Sequence, residues 1–209
     1  MSEKVIVIGA GGHGKVVADI IQKSGDTVLG FLDDKEGLSA TFVGFPVLGA
    51  VEAYKKYCHK ARFIIAIGNA AIREQIANKL ADVDWYTAVH PKAVISDLDV
   101  HIGTGTAIMA NAVVNAGSVI GAHCIVNTGA VVEHDNMIGD FAHVSVGAKL
   151  AGTVRIGKAT WIGIGATVSN NLTICENCMV GAGTVVVRDI LHPGTYVGCP
   201  AQKLQKHNV

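Results

Sequence analysis

From Ile102 onward an aliphatic side chain recurs at every sixth position. The series runs Ile102, Ile108, Val114, Ile120, Val126, Val132, Ile138, Val144, Leu150, Ile156, Ile162, Val168, Ile174, Val180 and Val186, and all fifteen members are Ile, Val or Leu. The fourth residue after each is mostly small: Thr106, Ala112, Ser118, Cys124, Ala130, Ala142, Ala148, Thr160, Ala166, Cys178 and Thr184. Gly often follows the aliphatic directly, as at Gly103, Gly121, Gly139, Gly157, Gly163 and Gly181. A period of six is neither the 3.6 of a helix nor the 2 of a strand. It is the signature of a parallel β-helix, in which each hexad is one short strand and a corner. Three hexads close one triangular coil, so fifteen hexads over residues 102–191 make five coils with no inserted loop. The aliphatic points into the prism and the small residue fits its tight interior. The Gly after the aliphatic is expected to supply unusual backbone angles at the corner. Ser96 breaks the register when it is extended backward, so a partial or irregular coil precedes Ile102. The tail, residues 192–209, opens with HPGTYVGCPAQKL and is expected to leave the helix.

Before Pro91 the pattern is different. Residues 4–8 (KVIVI) read as a buried parallel strand, 16–24 (VVADIIQKS) as a helix, and 28–32 (VLGFL) as a second strand. Residues 51–58 read as a helix, 63–68 (FIIAIG) as a third strand, and 71–80 (AIREQIANKL) as an amphipathic helix. Strands alternating with helices imply a small parallel α/β layer. The pattern predicts two domains, an α/β domain at 1–88 and a β-helix at 89–209.

Composition agrees with the coil. Of the 209 residues half are hydrophobic, yet only 5% are aromatic, and there are 25 Gly. Stacked aliphatic rungs need no bulky rings to fill the core. Lys plus Arg equals Asp plus Glu, which argues against a nucleic-acid partner and against disorder. Apolar runs are too short for a membrane span. The opening Met1-Ser2-Glu3-Lys4 leads into a strand rather than a signal sequence. With five Cys, an odd number, this points to reduced thiols in a cytoplasmic protein.

Gly9, Gly11 and Gly14 fit G-x-G-x-x-G between a strand and a helix, and Asp33 follows at the end of the second strand. That is a dinucleotide fingerprint, with an acid for a ribose hydroxyl. Its physical content is broader, because a Gly-rich helix N-terminus cradles any phosphate. Lys15 reads equally as a phosphate contact or a solvated helix residue. Cys175-x-x-Cys178 suggests a metal or redox pair, but Cys178 takes the small interior position while Cys175 sits beside inward Ile174 and is expected to face outward. The two sulfurs should then lie apart, and no second pair completes a zinc site. His101, His123 and His192 read as surface or satisfied histidines, so no metal is expected.

The coil with PGTYVGCPAQKL behind it resembles the hexapeptide-repeat acyltransferases. GAGGHGKVVADII before FLDD is similar to sugar acetyltransferases that include sialic-acid O-acetyltransferases. VVEHDNMIGDFAHVSVGAKLAG at 131–152 looks most like the bacillosamine-pathway N-acetyltransferases that act on UDP-4-amino sugars. The resemblance implies a small Rossmann-like α/β domain followed by a left-handed parallel β-helix, assembled as a homotrimer with sites at subunit interfaces. It implies acetyl-CoA as co-substrate and a nucleotide-sugar amine as acceptor. His134 falls on the family's catalytic base, with Asp135 as its acidic partner where Glu is commoner. A base is what an attacking amine needs, and a carboxylate orients the ring. His143, Gly152, Ile164 and Ala182 match acetyl-CoA positions; a main-chain N–H at Gly152 would meet the thioester carbonyl. Gly11, Gly12, His13, Asp33, Asp34, Gly68 and Asn127 match the nucleotide-sugar side. An O-acetyltransferase and a non-catalytic nucleotide-sugar scaffold stand as alternatives to the N-acetyltransferase.

Overall fold

The computed structural model describes residues 2–80 and 82–204. Its first part is a five-stranded sheet of order β3-β4-β2-β1-β5, formed by β1 (Lys4–Ile8), β2 (Thr27–Leu32), β3 (Thr41–Phe42), β4 (Phe45–Gly49) and β5 (Arg62–Ile65). Central β1 is apolar on both sides because both sides are covered. Helix α1 (Gly12–Lys23) packs Val17, Ala18, Ile20 and Ile21 on one face. Helix α2 (Ala70–Lys79) and the turn at 51–56 cover the other.

Two elements differ from the sequence reading. The helix expected at 51–58 is a 3₁₀ helix, Val51–Lys56, whose buried residues Val51 and Tyr54 are three apart. An i,i+3 pair eclipses on a 3₁₀ helix and so suits it. Strands β3 and β4 form an unforeseen hairpin around Val43 and Gly44, both at positive φ. This is the two-residue turn that matches strand twist. The hairpin brings Phe42 and Phe45 onto Phe31, at 5.1 and 6.2 Å between ring centroids.

The second part is a triangular parallel β-helix with three faces. Face I stacks Ala88–Val89, Ala107–Ile108, Ile125–Val126, His143–Val144, Trp161–Ile162 and Cys178–Val180. Face II runs from Val94–Ile95 to Val185–Val186, and face III from His101–Ile102 to Thr173–Ile174. The predicted aliphatics and small residues form one continuous core from Ile108 to Ile190. The coil also begins earlier than Ile102. Val94 pairs with Val113 and Ala88 with Ala107, so the spacing there is nineteen residues. A single extra residue in the corner 96–100 explains why Ser96 breaks the register: Ile95 and Val89, one position earlier, pack against the core. The tail does not leave the coil either. Gly194–Val197 joins face I in parallel with Cys178–Val180, and Gln202–Lys203 folds back antiparallel. Tyr196 pairs with Val180, sixteen residues away, because the last coil is two residues short.

Corner geometry corrects one expectation. The left-handed residue is the third after each aliphatic, not the first: every sixth position from Asp99 to Gly183 has φ between 53° and 73°. Glycines 103, 121, 139, 157 and 163 answer a different need. A Cβ on any of them would fall within 3.0 Å of the next coil's backbone.

The α/β layer docks on face I. Helix α1 and the sheet share one apolar core with Ala88, Ala107, Met109 and Ile125 of the coil. Face I is thus covered low down and opens toward the C-terminus at His143, Trp161 and Met179.

Candidate active site

His134 and Asp135 lie in the corner between faces II and III, on the outside of the prism. Asp135 is one of the left-handed corner residues, with φ 58°. That turn brings its Oδ2 to 2.8 Å from His134 Nδ1. Both side chains are more than half exposed. Glycines stand one coil away on either side. A Cβ on Gly117 would strike the Asp135 carboxylate, and a Cβ on Gly152 would strike the His134 ring. The N–H of Gly152 makes no hydrogen bond among the described residues, so it is free to meet a ligand.

His143 occupies a different place, on face I. Its ring stacks on Trp161, one coil on, at 4.8 Å between centroids. Asn127 Oδ1 accepts from Thr128 N at 2.8 Å, which turns its Nδ2 toward His143 Nε2 at 3.1 Å. The amide then donates to Nε2, and the imidazole proton sits on Nδ1. That Nδ1 is buried and has no partner among the described residues. Burial, helped by the Arg73 cation, drops His143 to about 3, so the ring is neutral at physiological pH. It lines a cleft of about 310 Å³ bounded by Gly68, Asn69 and Ala70 on one side and Trp161 and Met179 on the other. Asn127 therefore serves His143.

The Gly-rich turn separates two kinds of glycine. Gly9 has φ 112°, and a Cβ on Gly14 would collide with the Gly9 carbonyl, so the fold itself requires both. Gly11, Gly12 and Gly68 would meet nothing within 4 Å if given a Cβ. Packing does not call for glycine there, and the bare backbone leaves room for a ligand to lie on it. Helix α1 begins at Gly12 with no side-chain cap, leaving its first N–H groups open to an anion. His13 Nε2 is buried without a partner among the described residues, and burial together with Arg73 lowers the ring to about 4. Asp33 braces the turn: Oδ2 accepts from Ala10 N at 2.7 Å and Oδ1 from Lys35 N at 2.8 Å. Asp34 Oδ1 accepts from Val51 N. Lys15 lies over the Phe42 ring, 5.5 Å from its centroid.

Residues 4–80 match the family described as PglD N-terminal domain, and residues 153–188 match bacterial transferase hexapeptide (six repeats). The acetyltransferase domain of PglB from Neisseria gonorrhoeae is 38% identical over 97% of this chain and all of that one, with a TM-score of 0.90. The chain belongs to the hexapeptide-repeat sugar acetyltransferases. Its β-helix is therefore the left-handed one of that family. PerB from Caulobacter crescentus, solved with CoA and GDP-perosamine, is 37% identical over 97% of each chain, with a TM-score of 0.91. UDP-N-acetylbacillosamine N-acetyltransferase of Bacillus subtilis is 42% identical over 115 residues. That match spans about half the length of the curated relative.

In this acetyltransferase fold the single chain does not bring its candidate residues together. Gly11, Gly12, His13, Gly68, Asn127 and His143 gather on or beside face I. His134, Asp135 and Gly152 sit on the edge shared by faces II and III, which face I does not touch. Ile164 and Ala182 belong to the third edge, between faces I and II. There the corner glycines 129, 147, 165 and 183 would meet nothing within 4 Å with a Cβ, and Ile164 is exposed. From Val146 through Ile164 to Ala182 the exposed corner residues on this edge are apolar.

Arg73 is the residue that sequence reasoning missed. It is 1% exposed, and among the described residues it bonds only to carbonyls. Its guanidinium donates to the carbonyls of Ile67 and Gly68 at 2.9 and 2.7 Å, and to those of His123 and Phe141 in the coil at 3.1 and 2.5 Å. It thereby ties the Gly68 turn to two corners of the β-helix. His123 stacks on Phe141 beside it, and burial lowers that ring to about 4.

The cysteine pair also departs from expectation. Cys175 Sγ lies 3.3 Å from Cys178 Sγ. The strand ends at Ile174, so Cys175 belongs to the corner, where strand alternation does not apply, and it packs inward against the core. Burial pushes the Cys178 and Cys124 thiols up to about 12. Neither is primed as a nucleophile. Among the described residues no group of three or more His, Cys, Asp or Glu is placed to hold a metal.

Proposed function

We propose that this protein transfers the acetyl group of acetyl-CoA to the 4-amino group of a UDP-linked amino-deoxy sugar. His134 Nε2 takes a proton from the amine as its nitrogen attacks the thioester carbon. Asp135 holds the opposite ring nitrogen and stabilises the imidazolium. The oxyanion of the tetrahedral intermediate meets the open N–H of Gly152, and His143 of the neighbouring copy lies beside the acetyl group. The C–S bond then breaks, CoA thiolate leaves, and the amide remains on the sugar. The observation that carries this reading is the His134–Asp135 bond of 2.8 Å beside a glycine whose N–H makes no hydrogen bond among the described residues.

Residues 1–88 hold the nucleotide sugar, with Gly11, Gly12 and Gly68 under it, His13 facing it and Asp33 and Asp34 bracing its turn. Residues 89–209 hold acetyl-CoA, whose pantetheine arm runs along the edge of Ile164 and Ala182. The dyad edge and face I of one chain point apart, so a complete site takes His134 from one copy and His143 from the next. A head-to-tail contact of that kind closes into a ring, and a homotrimer matches the triangular coil. Exposed Val119 and Met137 on face III, next to the dyad edge, support it. No helix among the described residues is long and apolar enough to cross a membrane, and the reading sets the enzyme in the cytoplasm.

The test is thiol release from acetyl-CoA against a panel of UDP- and GDP-4-amino sugars and free sialic acid. Turnover is expected with a UDP-4-amino sugar and should fall ~10²–10⁴-fold in His134→Ala. Turnover with sialic acid alone would favour O-acetylation. Silence across the panel with tight nucleotide binding would leave a scaffold.

A further inference from the structure

The interior of the coil holds one amide. Among the fifteen small-residue positions from Thr106 to Ile190 only Asn136 is an Asn or Gln, and it is fully buried directly beneath the corner that carries His134 and Asp135. The other polar interior residues show what such a position ordinarily does. Thr106 and Thr160 each donate to one carbonyl of the next coil, Gly121 and Cys175, and accept one N–H from it, Cys124 and Cys178. Asn136 makes the same two links, donating Nδ2 to Ala151 O at 3.0 Å and accepting at Oδ1 from Val154 N at 3.0 Å. Those two residues flank Gly152. The amide then has a hydrogen to spare, and Nδ2 also donates to Glu133 O at 2.5 Å, the carbonyl just before His134. Ser118 reaches the same carbonyl from the previous coil at 2.8 Å.

We infer that Asn136 is a positioning residue for the His134 base: its third hydrogen bond holds the Glu133 carbonyl, and with it the His134 backbone, to the same amide that is anchored on Ala151 and Val154 either side of Gly152, fixing the imidazole against the next coil. The inference rests on His134 being the base. A hydroxyl at this position would keep the links between coils but could not reach back to Glu133. An aliphatic would lose all three. The coil itself tolerates both, since Thr160 stands at the equivalent position of another column and Val154 and Leu172 follow Asn136 in its own.

The experiment compares Asn136→Thr, Asn136→Val, His134→Ala and Asn136→Thr in the His134→Ala background, reading kcat, both KM values and Tm in the assembled enzyme. Asn136→Thr is expected to lower kcat about tenfold, and Asn136→Val further, since a misplacement near 1 Å can cost ~10²-fold. KM for acetyl-CoA and the Tm of Asn136→Thr should stay near wild type. No further loss is expected when Asn136→Thr is added to His134→Ala, because the amide acts only through that ring. Wild-type kcat in Asn136→Thr, with His134→Ala inactive, overturns the inference and leaves the base assignment standing. A further loss in the double variant, or a fall in kcat that tracks Tm, overturns it in favour of a plain structural role. Full activity in His134→Ala removes the base reading and the inference with it.

Discussion

The imidazole of His134 lies against the α-carbon of Gly152, one coil further on, with no room for a Cβ between them. Gly152 is not among the left-handed glycines, so an alanine there suffers no backbone strain and acts through the ring alone. Gly152→Ala is expected to displace His134 and lower kcat by up to ~10²-fold while leaving nucleotide binding unchanged. Steady-state kinetics beside a nucleotide titration check it. Unchanged kcat would mean that the ring position is not critical.

Asp135 combines a left-handed backbone with the bond to His134 Nδ1. Alanine would confound the two roles, whereas Asn is at home at positive φ and removes only the charge. Asp135→Asn should therefore keep the corner and its Tm, and lower kcat through a less stabilised imidazolium. The loss should be smaller than that of His134→Ala, because the base remains. An equal loss in both variants would make Asp135 a proton carrier in its own right.

Much of this site can be read from a spacing of eighteen. Adding eighteen to Gly117 gives Asp135, and adding eighteen to His134 gives Gly152, so the glycine clearance around the dyad is written in the hexads. The stack of His143 on Trp161 follows from the same sum. What escapes the count lies where the period fails or where a charge is buried. The extra residue in the corner 96–100 hid the first coil, and the corner position of Cys175 reversed the direction assigned to its thiol. Arg73 stands in AIREQI, which reads as a helix with its charges in solvent. Only the docked coil, offering the His123 and Phe141 carbonyls, shows why it is inside.

Arg73 predicts a stability effect. Arg73→Met leaves four carbonyls without their donor, those of His123 and Phe141 in buried bonds, and buried acceptors left unpaired cost ~1–3 kcal/mol each. A loss of at least about 3 kcal/mol is expected in urea unfolding. Arg73→Lys should rescue little, since an ammonium cannot span the fork that reaches both parts of the molecule. A lysine variant as stable as wild type would show that the planar geometry is not needed.

The buried histidines set a pH dependence. His13 and His123 are lowered to about 4 and His143 to about 3, in each case first by burial and then by Arg73. In the unfolded chain each titrates near 6.5. Between that value and the folded one, the unfolded state binds more protons. Stability is therefore full above pH ~6.5 and falls as the pH drops through the window toward 3–4. Each ring adds a slope of up to ~1.4 kcal/mol per pH unit. Carboxylates titrate mostly below pH ~5, so the interval from 6.5 to 5 belongs to the histidines. Urea unfolding at pH 7, 6 and 5 should show a steady loss for the wild type. His123→Gln, far from the dyad, should shed one ring's share of that slope. A slope unchanged by His123→Gln would mean that this ring is protonated in the folded protein, and that the Arg73 cluster is not as dry as its carbonyl-only bonding requires.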